Sequence, residues 1–310
     1  MPAVKIAHIS DLHVLDLTGT RASEYMNKRL LGYANLRFKR ERAHHVPYLR
    51  AVLHEIARVS IDHVVITGDL TNLALAPEFR AVRRILDEDL GYPPARVSIV
   101  PGNHDVYVAS ALRTRQFATL FAEYTSSELP QYSVPLAGGN FPFVRVRGPI
   151  AIVGLSSAVP RPPLMAAGLL GKPQLRALER ILGHETVRGR TIVVLVHHPT
   201  HKPPSPIKAL LESLHDADEL ERILGSVERG LVLHGHLHRR LTQKLPTHGR
   251  HSMDVVGGTS ASLHHRDPHR MAGFNVYDFD EAGLLTSSTA RVYAPEAGTF
   301  HDAEIPVSRW

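Results

Sequence analysis

Five short polar motifs, each set directly behind an apolar run, constrain this chain more than any other feature. They are Asp11-Leu12-His13, Gly68-Asp69, Gly102-Asn103-His104-Asp105, His197-His198-Pro199 and Gly235-His236-Leu237-His238. The runs before them (4–10, 62–67, 96–100, 191–196 and 231–233) are short and rich in branched aliphatic residues, which predicts strands. Polar groups that follow strands gather at one edge of a sheet, and that edge is where open α/β sheets bind ligands. Asp, Asn and His are oxygen and nitrogen donors, so the motifs together predict ligands for two metal ions. Two divalent cations about 3.5–4 Å apart form a clamp for in-line displacement at phosphorus.

Between these strands the chain predicts helices at 47–59, 77–90, 109–124, 173–182 and 216–224, with further strands at 143–146 and 150–155. Beyond His238 the helical periodicity stops, and 240–245, 252–256, 274–279 and 284–292 predict strands joined by turns. Repeated β-α units followed by β structure give an α/β fold. A chain of 310 residues buries roughly three quarters of its unfolded surface, enough for one large core. With no internal repeat or linker, the expectation is one domain spanning 1–310.

Cysteine is absent, which excludes disulfides and thiolate metal sites. The 21 histidines exceed what a core needs, and only part of the excess falls in the motifs. No apolar stretch approaches the ~20 residues of a membrane span, and the first residues run into a strand without a signal-peptide pattern. A cytoplasmic location is therefore expected, with membrane-peripheral association as the variant. The net charge of +6 has a local origin. Between Arg21 and Arg50 stand eight Lys/Arg against Glu24 and Glu41, and elsewhere the charges balance. That argues against a nucleic-acid partner, which normally needs several phosphate contacts.

The order and wording of the motifs resemble the calcineurin-like metallophosphoesterase superfamily over residues 5 to about 238. Ile9-Ser10-Asp11-Leu12-His13, Gly68-Asp69-Leu70-Thr71-Asn72 and Gly102-Asn103-His104-Asp105 look most like its class III cyclic-nucleotide phosphodiesterase and glycerophosphodiesterase branch. The resemblance implies a four-layer α-β-β-α sandwich with ligands at strand carboxyl ends. It implies that Asp11, His13 and His238 hold one metal, that Asn103, His197 and His236 hold the other, and that Asp69 bridges them. Mixed imidazole and carboxylate donors suit Mn, Fe, Zn or Co better than Mg. Water shared by two such ions ionises near neutral pH, and a bridging hydroxide would then attack phosphorus. By the same resemblance His104 is no ligand and would serve the leaving group as a catalytic residue.

The remaining polar residues of the motifs carry two readings each. Asp105 either orients His104 or caps a helix. Asn72 either contacts a phosphate oxygen or serves turn chemistry, and His198 either contacts substrate or lies exposed in a loop. His234 supports the ligands from behind or is a satisfied core histidine, while His8 is structural. The stretch 263–270, with His264, His265, Arg266, His269 and Arg270, lines the entrance or is a surface loop; His201 and Lys202 carry the same pair of readings.

An insertion at about 14–46 departs from the family's shorter loop behind Asp-x-His. Met26, Leu30, Tyr33 and Leu36 fall on one helical face among Lys28, Arg29, Arg37, Lys39, Arg40 and Arg42. It packs on the body, caps an anionic substrate, or touches anionic lipid headgroups or a partner subunit in a homo-oligomer. The leading expectation is a dinuclear metal-dependent phosphodiesterase acting on a small diester, either a cyclic nucleotide or a glycerophosphodiester or lipid-derived one. Phosphomonoesterase and lipid or nucleotide pyrophosphatase are the enzymatic alternatives, and a membrane-peripheral interaction module is the non-enzymatic one.

Overall fold

The computed structural model describes residues 3–21, 29, 43–106, 113–201, 203, 205–247 and 252–308. In chain order its strands are β1 (Val4–Ile9), β2 (His63–Ile66), β3 (Val97–Ile99), β4 (Val134–Leu136), β5 (Gly139–Phe141), β6 (Phe143–Arg147) and β7 (Ile150–Gly154). They continue as β8 (Thr191–Leu195), β9 (Gly230–His234), β10 (Leu241–Pro246), β11 (Ser252–Gly257), β12 (Gly273–Phe279), β13 (Leu285–Ala294) and β14 (Thr299–Ala303). The α-helices are α1 (Val46–Arg58), α2 (Ala76–Ile85), α3 (Gln116–Leu120), α4 (Lys172–Gly183), α5 (Pro206–Glu212) and α6 (Ala217–Leu224).

One six-stranded sheet runs β14-β13-β12-β1-β2-β3 and the other β10-β11-β9-β8-β7-β6. The strands that precede motifs are parallel neighbours in each sheet: β1 with β2, β2 with β3, and β8 with β9. Alternation along β8 shows why two sheets stack. Val193 and Leu195 join the core cluster of the first sheet. Ile192 and Val194 join a second cluster with Leu175, Leu178 and Ile181 of α4 and Leu220 and Leu224 of α6. Successive strand side chains point to opposite faces, so β8 is covered on both, each buried aliphatic side chain contributing roughly 1.5–3 kcal/mol. On the far side of the first sheet, α1 presents Leu49, Val52, Leu53 and Ile56 at helical spacing to the same core. Helix, sheet, sheet and helix make the expected four-layer sandwich.

The structure revises several sequence expectations. The helix predicted at 109–124 lies partly outside the described residues. Its described part breaks twice: at Arg115, whose φ of 46° is left-handed and which immediately precedes α3, and at Phe121, which separates α3 from a 3-10 turn at Ala122–Thr125. The helix at 77–90 loosens into a π-turn at Leu86–Leu90 closed by Gly91. Helix α5 stands where proline-rich loop ended; Ser205 Oγ accepts from Lys208 N at 3.4 Å and Pro206 occupies the first turn. Edge strand β14 escaped notice because its residues are half-buried or exposed and show no apolar alternation. Of the insertion's predicted helix, 22–28 and 30–42 fall outside the described residues. Arg29 is no solvated face charge: it is buried, donating from Nε to Leu73 O at 2.7 Å and from Nη2 to Ala74 O at 2.8 Å. No described helix is long and apolar enough to cross a membrane.

Candidate metal centre

The carboxyl ends of β1, β2, β3, β8 and β9 deliver Asp11, Asp69, Asn103, His197 and the His236–His238 pair to a common edge. Backbone bonds stitch the loops together there: Asp11 N to Gly68 O at 2.9 Å, His13 N to Asp69 O at 3.0 Å and Gly235 N to His197 O at 3.1 Å. The glycines of two motifs allow backbone to press on backbone. A Cβ on Gly68 would lie 2.5 Å from Gly102 N, and one on Gly102 would lie 2.3 Å from Asp69 N.

Asp11, His13, Asp69, His236 and His238 all adopt positive φ, between 47° and 69°. Outside glycine this region is uncommon, and such strain persists where the surroundings over-determine it, typically at functional sites.

The donor atoms fall into two adjoining groups. In one, His13 Nε2 and His238 Nε2 lie 3.1 Å apart, and Asp11 Oδ1 lies 3.1 Å from His238 Nε2 and 3.9 Å from His13 Nε2. In the other, Asn103 Oδ1 lies 3.1 Å from both His197 Nε2 and His236 Nδ1, with Asp69 Oδ2 3.4 Å from His197 Nε2. Two nitrogens held at ~2.1 Å in adjacent positions on one ion stand roughly 3 Å apart, so these spacings fit shared coordination. Asp11, Asp69 and His197 offer atoms within 4.8 Å of one another and join the groups.

The other atom of several donors is tied down. His236 N donates to Asp11 Oδ2 at 3.1 Å, His104 N donates to Asp69 Oδ1 at 2.8 Å, and His197 Nδ1 pairs with Thr67 O at 2.7 Å. Such outer bonds orient ligating side chains. Asp11 Oδ1 is buried and makes no aligned hydrogen bond, its close neighbour being His238 Nε2 at 3.1 Å, an arrangement that a cation between carboxylate and imidazole would satisfy. The residues therefore fit a pair of metal ions.

Charge compensation runs through the same groups. Burial opposes ionisation of Asp69, yet His197 and His104 hold its carboxyl well below the usual range. Burial likewise disfavours charge on His197, but Asp69 and Asp11 raise it to about 9. His236 is lowered to about 3 by burial and by neighbouring His197.

Not every polar residue of the motifs takes the place expected of it. Asp105 does not orient His104; His104 Nδ1 is held instead by Asn72 O at 2.7 Å. The Asp105 carboxylate accepts from Gly102 N, Leu70 N, Thr71 N and Thr71 Oγ1 at 2.9–3.2 Å, clamping two motif loops together. Burial, then the charge of Asp69, pushes its carboxyl up to about 7. Asn72 is buried and gives its amide to His13 O at 2.7 Å, so its nitrogen serves the loop and not a phosphate.

His198, expected at the substrate or in an exposed loop, is fully buried, with Nδ1 on Ser157 Oγ and Nε2 on Ala166 O, both at 2.7 Å. His234 is buried with Nδ1 2.9 Å from Gly235 O, and His8 pairs with Thr67 Oγ1 at 2.8 Å. The 263–270 stretch approaches the edge through Arg270, whose Nε reaches His238 O at 3.4 Å. One neighbour was not anticipated. The His44 ring stands edge-on to that of His13 at 4.6 Å, and its approach has no signal in local sequence because it follows a 30-residue excursion.

Residues 4–240 match the family model described as calcineurin-like phosphoesterase. The chain belongs to that family. Among relatives of this phosphoesterase is a protein named probable cyclic nucleotide phosphodiesterase from Vesicomyosocius okutanii subsp. Calyptogena okutanii (strain HA). It is 25% identical over 243 residues, which cover 78% of this chain and 87% of the relative. Similar solved structures include a dimetal phosphatase from Danio rerio, with a TM-score of 0.51, 14% identity and coverage of 94% of this chain and 96% of that one. A purple acid phosphatase from yellow lupin seeds has a TM-score of 0.57 at 12% identity, covering 97% of this chain and 54% of that one. These likenesses show the shared fold. Family membership makes the phosphoesterase a metal-dependent phosphoester hydrolase of the dinuclear type.

Proposed function

We propose that this phosphoesterase is a phosphodiesterase for a small diester, a cyclic nucleotide or a glycerophosphodiester, working as one domain over 1–310. In this reading Asp11, His13 and His238 would hold the first cation, Asn103, His197 and His236 the second, and the Asp69 carboxylate would serve both. The carrying observation is the buried Asp11 Oδ1, which makes no aligned hydrogen bond, beside imidazole nitrogens spaced as adjacent ligands. The donor set suits Mn, Fe, Zn or Co. Bound cations would supply Lewis acidity and a nucleophile made from water at neutral pH.

Everything else falls to the chain's own groups. The His236 and His104 backbone amides aim the two carboxylates. Asp105 fixes the loops that carry Asp69 and Asn103. His104, whose Nδ1–H donates to the Asn72 carbonyl at 2.7 Å, would act as the imidazolium, giving the proton of Nε2 to the departing oxygen and remaining as the neutral Nδ1–H ring, which a diester with a poor leaving group needs most. The relative named as a probable cyclic nucleotide phosphodiesterase favours a diester over a monoester. A cytoplasmic location, with the basic insertion at 14–46 touching anionic lipid, belongs to the same proposal.

The test compares bis-(p-nitrophenyl) phosphate with p-nitrophenyl phosphate in Mn-supplemented buffer, for wild type and Asp69→Asn. Diester hydrolysis should exceed monoester hydrolysis, and the variant should lose both. Preference for the monoester, or an active Asp69→Asn, rejects the reading.

A further inference from the structure

The metal-side edge contains one imidazole that no motif supplies. His44 lies at the return of the insertion, two residues before the first turn of α1. Its position is fixed by β-type pairing to the late part of the chain. His44 bridges Leu263 in antiparallel fashion, His45 N donates to Ser262 O at 2.8 Å and His264 N donates to Ala43 O at 2.7 Å. In an extended segment neighbouring side chains point to opposite sides. His45 accordingly packs on Tyr48, with ring centroids 4.9 Å apart, while His44 turns the other way, onto the donor cluster.

The ring is held from behind. His44 Nδ1 lies 2.9 Å from Ser262 Oγ and 3.2 Å from Ser260 Oγ, and Ser260 Oγ in turn donates to Asp11 O at 2.6 Å. This hydroxyl pair connects His44 to the backbone of a metal-side carboxylate. A ligating histidine usually carries such a bond on its second nitrogen, which fixes the orientation of the ring. On its front side, the His44 centroid is 4.6 Å from that of His13 and 5.5 Å from that of His238. One ring nitrogen from each of His13, His44 and His238 falls within 4.8 Å of the others. Ligands of one ion at ~2.1 Å cannot be more than about 4.2 Å apart, so sub-ångström to ångström settling of the rings completes the set.

We propose that His44 is a further ligand of the first cation position, which then carries three imidazoles where the second carries two. The proposal rests on the dinuclear reading above and adds a residue to it. It also gives the insertion a place in the centre: the segment leaves at His13 and returns at His44, so both of its ends meet one ion. More nitrogen donors bias that position toward Co or Zn over Mn.

The experiment is a Co(II) titration of metal-free full-length protein, read by calorimetric stoichiometry, bound metal after gel filtration and the visible absorption of cobalt. Wild type, His44→Ala, His44→Gln, Ser262→Ala and Asp69→Asn are compared, with circular dichroism to confirm folding; His44→Gln keeps polarity and volume should the alanine variant not fold. His44→Ala and His44→Gln should retain one site at wild-type affinity and weaken the other roughly 100-fold or more, with a changed cobalt spectrum, while Ser262→Ala weakens the same site about 10-fold. Two sites of unchanged affinity and spectrum in both His44 variants would overturn the proposal, leaving His44 an edge-on packing partner of His13. Asp69→Asn separates this failure from that of the parent reading: a wild type that binds no cobalt, or an Asp69→Asn that binds two ions normally, brings down both.

Discussion

A methyl group placed on Gly102 would stand 2.2 Å from Asp69 Oδ1, 2.3 Å from Asp69 N and 2.8 Å from Asp69 Cγ. Ordinary contact begins near 3.4 Å, so in Gly102→Ala the Asp69 loop must retreat by about 1 Å, against a backbone that has no slack. Asp69 Oδ1 is fixed by His104 N at 2.8 Å and Oδ2 sits 3.4 Å from His197 Nε2, so the retreat moves the carboxylate out of line with both donor groups. Metal–ligand distances tolerate only ~0.2 Å. The expected loss is 10–100-fold or about 1.4–2.7 kcal/mol in cation affinity, the size seen when an orienting contact is removed.

Overpacking should independently cost the metal-free fold roughly 1–3 kcal/mol, which for a chain this long lowers Tm by about 1.5–5 °C. Calorimetric Mn titration and scanning calorimetry in chelator read the two effects separately. Gly183→Ala is the control, because a Cβ there meets nothing within 4 Å. If Gly102→Ala binds two cations per chain at wild-type affinity and melts where wild type does, the claim that the two motif loops jointly set the Asp69 carboxylate is wrong.

His104→Ala should keep both cations and lose about 10²–10⁴-fold in kcat, more for alkyl than for nitrophenyl diesters; loss of metal in that variant would place His104 among the ligands. Stability should fall below pH 6.5 partly through His63, far from the centre at the start of β2. Burial, with Arg147, Arg145 and Arg96 around it, holds His63 well below its ordinary value. Arg147 Nε donates to its Nδ1 at 3.2 Å, and Nε2 faces Ser98 Oγ at 2.8 Å. The unfolded chain takes up a proton as pH drops through about 6.5 and the folded chain does not, so each pH unit below that value removes up to ~1.4 kcal/mol. Urea melts at pH 5 and 7 should show a smaller pH loss for His63→Gln than for wild type, and an equal loss would contradict the assignment.

The local part of this protein was legible in its sequence because the signals are covalently local. An apolar run followed within a few residues by Asp-x-His or His-x-His marks a strand and the donors at its end. Residues 4–9, 63–66, 97–99, 191–195 and 230–234 form the strands so announced. Features that depend on what a segment meets were not legible. The capped turn at Ser205, the interruption at Arg115 and the polar edge strand β14 carry weak local patterns that packing and pairing decide.

The same division runs through the candidate site. Residue types and order along the chain already pointed to an α/β fold with nitrogen and oxygen donors at strand carboxyl ends, but the expected single sheet edge is in fact two, with β1, β2 and β3 in one sheet and β8 and β9 in the other. Only tertiary structure decided which polar neighbours face inward. Asp105 serves the Leu70–Thr71 backbone, Asn72 serves His13 O, and His198 turns to Ser157 and Ala166. His44 reaches the edge through pairing with Leu263, more than 200 residues away in sequence. Donors are chemical identities and can be read in one dimension. Their partners are fixed by distances between segments, and those exist only once the two sheets have closed on each other.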